Sequence, residues 1–549
     1  MTEPRFSPAR VTGLLVTATA TATAVAAGLV SAGSAQAVAG PDALAGQYAF
    51  TAKLVIGDET SSRGCTGTLV DANWLLTAAS CFATTPGTTV PAGKPALKTT
   101  ATLGDGKTIE ITEIAPRADR DVVLARLATP ATALAGVKRA SAAPVAGADL
   151  TAAGFGRTKT EWVPDKIHTG SFTVNAADAT GLTITGKGTD SLCKGDTGGP
   201  LLNTAGELVG VNSRSWQGGC FGGNPAETRT GAIAARVDDL REWIDGYRAT
   251  TPGWQTETLV QSGSSLYQGI RLPDGSWTGF TDLQSKVNSL GGIRSSAVAG
   301  INGDTHVLAI SANGGLFHTI RKADGTWGRF GDVFAAANTL GHLTQVSAVS
   351  IGYDLHVVAV ADGKAFHTLR DATGNWTPFR DVSSGSVSNV TAAATASVRG
   401  ELQVGLVSGG KPYHSIRQAN GTWLPWGNVA QAAGSTGPIT AISMAGANDG
   451  THFTVVTDNG TRQYHALRNP DGTWSPFGDL KPYLGTITAT SLSAATVNGE
   501  LQVAVTTLDG RILQITRHTD RTWGAPVTVP LEGLPAAPGA LAIAATLHS

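Results

Sequence analysis

Ten residues from Cys193 to Leu202, Cys-Lys-Gly-Asp-Thr-Gly-Gly-Pro-Leu-Leu, set one carboxylate and one hydroxyl, Asp196 and Thr197, among three glycines. A tight glycine turn lets backbone N–H groups converge on one point and hold a developing oxyanion, with the hydroxyl beside them as nucleophile. A threonine hydroxyl attacks at neutral pH only with a neighbouring base. A glycine-rich surface turn uses the same residue types, so the chemistry depends on what else the chain brings here.

Elsewhere the sequence supplies strands able to position such a turn. The block resembles the Gly-Asp-Ser-Gly-Gly-Pro motif of trypsin-like (chymotrypsin-fold) serine proteases, complete in Gly195, Asp196, Gly198, Gly199 and Pro200, with Thr197 at the nucleophile position. The resemblance runs from Val38 to about Ala249. Cys65-Thr66-Gly67-Thr68-Leu69-Val70 and Trp74-Leu75-Leu76-Thr77-Ala78-Ala79-Ser80-Cys81 are similar to two paired strands of the family, the second ending at its catalytic histidine. Ser80 stands in that place. Asp121-Val122-Val123-Leu124 resembles the strand whose aspartate orients the histidine, although an aspartate opening an apolar strand is also an ordinary turn residue. The resemblance implies disulfides Cys65–Cys81 and Cys193–Cys220, and an oxyanion hole from the N–H groups of Gly195 and Thr197. It also implies a substrate-binding strip at Ser215-Trp216 and a specificity pocket based on Ser191, whose lack of charge argues against Arg or Lys recognition. Val237 to Ile244 resembles the terminal helix, with apolar residues at 237, 240, 243 and 244.

The triad positions are thus Ser80, Asp121 and Thr197. A serine hydroxyl is no general base near neutral pH, and the one histidine of residues 38–249, His168, lies outside every triad motif. Losing one triad member costs about 10⁴ to 10⁶ in turnover, and two are changed. The expectation is a pseudoprotease that binds peptide.

Arg5 and Arg10, the apolar run Val11–Val30 and Ala35-Gln36-Ala37 read as a signal peptide over 1–37, giving a secreted chain that begins at Val38. In the family the new amino terminus pairs with the aspartate beside the nucleophile, here Asp196; Val38-Ala39-Gly40 is a variant of that terminus, with Pro41 replacing its second glycine. Four cysteines, at 65, 81, 193 and 220, suit an oxidising compartment. With 40 Lys and Arg against 41 Asp and Glu, the net charge is −1, so no basic footprint suggests nucleic acid. No later run is apolar enough to span a membrane, and no metal or cofactor is implied.

After a linker at 250–253 the chain repeats. Trp277, Trp327, Trp376, Trp423, Trp474 and Trp523 recur at intervals of 50, 49, 47, 51 and 49 residues. This period, with glycine turns, predicts six four-stranded propeller blades over 254–549. Small-residue strands open five units, and the sixth, Leu541–Thr546, follows the last Trp, so the C-terminal strand is expected to complete the first blade. The fold class is therefore all-β: a trypsin-like double barrel, then a closed six-bladed propeller. The repeat resembles tectonin-like and fucose-lectin-like propellers. That resemblance makes Arg271, Arg321, Arg370, Arg417, Arg468 and Arg517 candidate glycan-binding residues, while regular Arg and Trp also serve packing. His318, His367, His414 and His465 recur without metal-ligand spacing. Expected partners are extracellular protein or peptide, and glycans. Two alternatives are an active endopeptidase using Thr197, and a lectin or adhesin with the barrels as scaffold.

Overall fold

The computed structural model describes residues 42–383, 385 and 387–548. The expected leader and the expected terminus at Val38 lie outside the described residues.

Two closed barrels come first. β1 (Thr51–Gly57), β2 (Ser62–Asp71), β3 (Trp74–Thr77), β4 (Thr99–Thr102), β5 (Thr108–Pro116) and β6 (Val123–Leu127) close in the order β1-β2-β3-β6-β5-β4. Alternation in β1 turns Ala52, Leu54 and Ile56 inward against Leu69, Leu75, Leu76 and Leu124. β7 (Asp149–Gly154), β8 (His168–Ala177), β9 (Gly181–Gly186), β10 (Pro200–Leu202), β11 (Leu208–Ser215) and β12 (Gly231–Arg236) close in the order β10-β11-β12-β9-β8-β7 around Phe172, Leu182 and Ile184. Phe172 is fully buried, worth about 1.5–3 kcal/mol relative to exposure. The disulfides Cys65–Cys81 and Cys193–Cys220 are both present.

The helix α1 spans Arg241–Arg248, starting later than the apolar spacing predicts. Asp238 and Asp239 are drawn off to Arg236 and Arg120, and residues 237–240 form a turn that still buries Val237 and Leu240. The following residues are held close: the Gln255 side-chain amide donates to the carbonyls of Ala249 and Thr251, both at 3.0 Å.

Six four-stranded sheets follow. The first pairs Pro538–His548 with Gly253–Ser262, then Ser265–Arg271 and Thr281–Asp282, so the C-terminal strand is its innermost member. The other five run in chain order, opening on Ile293–Ile301, Leu343–Ile351, Val390–Val398, Ile439–Ala447 and Ala489–Val497. Each blade ends outward in a strand of two residues, so the edges that remain around the ring are short. Among the described residues no helix is long and apolar enough to cross a membrane.

α1 joins barrels and propeller through buried charge. Arg248 donates to Asp71 of β2 and to Asp245, both at 2.9 Å, and to the Trp277 carbonyl and the Ser276 hydroxyl of the first blade, both at 3.1 Å. Asp245 also receives Arg139 and the Gly279 N–H, each at 3.0 Å. Burial alone would raise the Asp245 carboxyl, but Arg139 and Arg248 hold it below its ordinary value.

Candidate functional site

Each triad position sits at a strand end where the barrels meet. Ser80 lies in a short turn after β3, Asp121 just ahead of β6, and Thr197 just ahead of β10. The Ser80 backbone N–H and hydroxyl both donate to Asp121, at 2.7 and 2.8 Å. Ser213 adds its hydroxyl to the same carboxylate at 2.6 Å. Thr197 Oγ1 donates to the Ser213 carbonyl at 3.3 Å, and among the described residues no hydrogen bond joins it to Ser80. The structure therefore brings Ser80 and Asp121 together directly and connects Thr197 to them through Ser213.

The glycine turn is built as a cradle. Thr66 donates from its hydroxyl to the Gly195 carbonyl at 2.7 Å and from its N–H to the Thr197 carbonyl at 2.9 Å. Gly198 has φ +88°, and a Cβ there would collide with Thr77 and the Thr66 carbonyl. The N–H groups of Gly195 and Thr197 take no partner among the described residues, as an oxyanion site requires. Asp196 is fully buried, accepting N–H from Gly156 at 2.8 Å and Cys193 at 2.9 Å. Burial pushes its carboxyl up to about 7 against the pull of those donors. A side chain at Gly156 would occupy its space.

Ser191 is 2% exposed, and its hydroxyl has no partner among the described residues. Ser215 donates to the Leu192 carbonyl at 2.5 Å, which ties β11 to the segment bearing Cys193. Trp216 is 56% exposed with the Arg229 guanidinium stacked 3.5 Å above its ring. The strand residue that reaches both Asp121 and Thr197 is Ser213, which sequence reasoning missed. The Ser-Trp pair at 215–216 drew attention to the end of the strand, while Ser213 carried no aromatic neighbour to mark it. His168 is buried at the start of β8, with its nitrogens facing Asp42 at 3.4 Å and Glu161 at 3.8 Å.

In the propeller, every blade carries a bonded polar pair at one position of its second and third strands. The pairs are Glu257–Gln268, His306–His318, His356–His367, Gln403–His414, His452–His465 and Gln502–Gln514, at 2.6, 3.1, 3.0, 3.0, 2.9 and 2.5 Å. The third-strand histidines meet the next blade's tryptophan edge-on, as in His318–Trp376 and His465–Trp523. Sequence reasoning found those histidines but not His306, His356 and His452 on the strand before. Burial pulls His306 and His356 down to about 4 and His367 and His414 to about 3, with Arg370, Arg417 or Arg468 of the following blade adding to the effect.

The six candidate arginines end the third strands, each bridged to the Trp of its own blade. The guanidinium groups of Arg271, Arg321, Arg370, Arg417 and Arg468 lie against the turn glycines Gly275, Gly325, Gly374, Gly421 and Gly472. In the sixth blade Arg521 replaces that glycine at φ +72°, and Arg517 pairs instead with Asp449 of the fifth blade at 3.2 Å.

Residues 37–244 match the trypsin family, and with the two barrels this segment is a trypsin-like serine protease domain. Among solved structures, neuropsin, a serine protease expressed in mouse brain, aligns at 19% identity and a TM-score of 0.31, covering 38% of this chain and 98% of that one.

Proposed function

We propose that the trypsin-like domain is an exported module that holds extended polypeptide without cutting it. The observation that carries this reading is the filling of Asp121 by the Ser80 N–H, the Ser80 hydroxyl and the Ser213 hydroxyl. The carboxylate that would orient a base is occupied by groups that take no proton near neutral pH. Thr197 meanwhile spends its own proton on a carbonyl, and His168 is buried at the start of β8, facing Asp42 and forming no hydrogen bond to Thr197 or Asp121 among the described residues. Without a base, Thr197 is not activated. The intact cradle and free N–H groups at 195 and 197 support retained binding. The two disulfides, together with the leader expected from the sequence, support export, since such bonds persist in oxidising compartments.

The test is incubation of the purified chain with a fluorophosphonate probe and a fluorescent casein, beside Thr197→Ala. Equal silence in both is expected. Labelling or cleavage that disappears in Thr197→Ala makes Thr197 a nucleophile and establishes the alternative, a working endopeptidase.

A carbohydrate reading of the propeller is favoured at one junction. Between the first and second blades, Arg321 Nη1 and His548 Nε2 are buried with no hydrogen-bond partner among the described residues, near the buried carboxylate of Glu257. Unpaired buried polar atoms of this kind suit sugar hydroxyls. A glycan array comparing the full chain with Arg321→Ala tests it, and a signal that is blank or unchanged by the substitution removes the reading.

A further inference from the structure

The edge beside Thr197 is open, and its side chains carry one sign of charge. β10 leaves β11 after the Pro200–Val211 pair, with Asn212 making the last backbone bonds to Gly198 and Gly199. On its other side β11 stays paired with β12 through Arg214–Ile233 and Ser215–Ala232, and the Trp216 N–H donates to the Gly231 carbonyl at 3.2 Å. Strand alternation then turns the N–H and C=O of Ser215 away from β12, toward the open side. Outside the strand ladders neither group bonds a backbone or side-chain partner among the described residues. This is the geometry that accepts a peptide as an added strand.

Arg214 decides which peptide. Ser215 points its hydroxyl inward at the Leu192 carbonyl, so its neighbour Arg214 projects to the opposite, solvent face, where it is exposed. It forms no ion pair among the described residues. Lys194, next to Gly195, is also exposed and unpaired. Arg157, whose N–H bonds the Lys194 carbonyl at 2.9 Å, stacks its guanidinium on the Trp162 ring and forms no ion pair among the described residues. Two acids of the surrounding segments are spent, Asp121 on three donors and Glu227 on Arg229. Three cations that form no ion pair among the described residues thus lie on segments tied to this strand: Arg214 on it, Lys194 two residues beyond the Leu192 carbonyl that Ser215 holds, and Arg157 through its bond to Lys194.

Resting on the peptide-holding reading above, we propose that the natural ligand is an acidic extended segment. It pairs its backbone with Ser215 and sets a carboxylate side chain against Arg214, as cross-strand neighbours about 4.5–5.5 Å apart at Cβ do. Lys194 and Arg157 draw further acids along the segment.

The test uses the purified full chain and three fluorescein-labelled octapeptides, alternating Glu–Val, Ser–Val and Lys–Val, read by anisotropy. The Glu–Val peptide is expected to bind at least tenfold more tightly than the Ser–Val peptide, and its backbone N-methylated form at least tenfold more weakly than itself. Arg214→Glu should transfer the preference to Lys–Val, and Arg214→Gln should reduce it to Ser–Val levels; both variants keep the parent melting temperature because the side chain is exposed. Equal binding of the three peptides, or an acidic preference untouched by both substitutions, overturns the inference and leaves peptide holding standing. Equal binding of the N-methylated form overturns strand addition. Absence of binding by all three overturns both.

Discussion

Ser80 meets Asp121 twice, through its backbone N–H at 2.7 Å and its hydroxyl at 2.8 Å, so a small side chain fills the space where an imidazole would bridge to the nucleophile. Restoring both changed groups should therefore restore chemistry. The double variant Ser80→His, Thr197→Ser is expected to gain at least about a hundredfold in peptide hydrolysis over the parent, since a missing triad member costs about 10⁴ or more. Ser80→His alone should gain little, because Thr197 still directs its proton to the Ser213 carbonyl. A double variant as silent as the parent would place the defect in the pocket.

The clamp around Arg248 predicts a mechanical effect. Arg248→Met leaves Asp71 without its cation and Asp245 with Arg139 alone, and breaking a buried pair this way costs about 3–5 kcal/mol. The parent should melt as one unit. The variant should melt in two steps and become open to protease at 249–252. A single unshifted transition would show that the clamp carries no coupling.

Acid should loosen the propeller first. His306 and His356 titrate near 4, and His367 and His414 near 3, below the ordinary 6.5. As pH falls below 6.5 the unfolded chain takes up protons that the folded chain refuses, so stability drops through the window from about 6.5 down to those values. Inside its window each histidine adds a slope approaching ~1.4 kcal/mol per pH unit. Chemical denaturation at pH 7, 5 and 4 should show this loss. Replacing His367 by Gln, the residue at the same position of the first and sixth blades, should flatten it.

Asp196 predicts the opposite trend in the barrels. Its carboxyl lies near 7 when folded and near 3.8 when unfolded. Between those values the unfolded state releases its proton first, so this group's contribution weakens as pH rises from about 4 to 7. A chain whose mature terminus is Val38, with that amine paired to Asp196, should lose the trend, and a chain extended by one residue before Val38 should keep it. Identical pH profiles for the two would exclude the pairing.

Much of this was legible because periodicity and covalent spacing survive in sequence. The interval between tryptophans marked the blades, and the small-residue strand after Trp523 marked the closure. The separation of Cys65 from Cys81 marked a family loop. What stayed hidden depends on contacts between distant segments. Ser213 is an ordinary serine until the barrels bring it to Asp121, and only the open edge gives Arg214 a role. The six polar pairs were half visible, since a pattern along one strand cannot name its partner across a hairpin. Asp71, Arg139 and the helix pair Asp245 and Arg248 come from three separate stretches, and nothing local distinguishes them from solvent-facing charges.

The innermost strand of the first blade comes from residues 538–548, and that same blade gives the clamp its Ser276, Trp277 and Gly279 contacts. During synthesis, then, the anchorage point for the barrels stays unfinished until residues 538–548 have emerged from the ribosome. A protease that nicks that strand would unseat the distant barrels without touching them. The C-terminal strand thus acts as a seal whose integrity reports on the entire molecule.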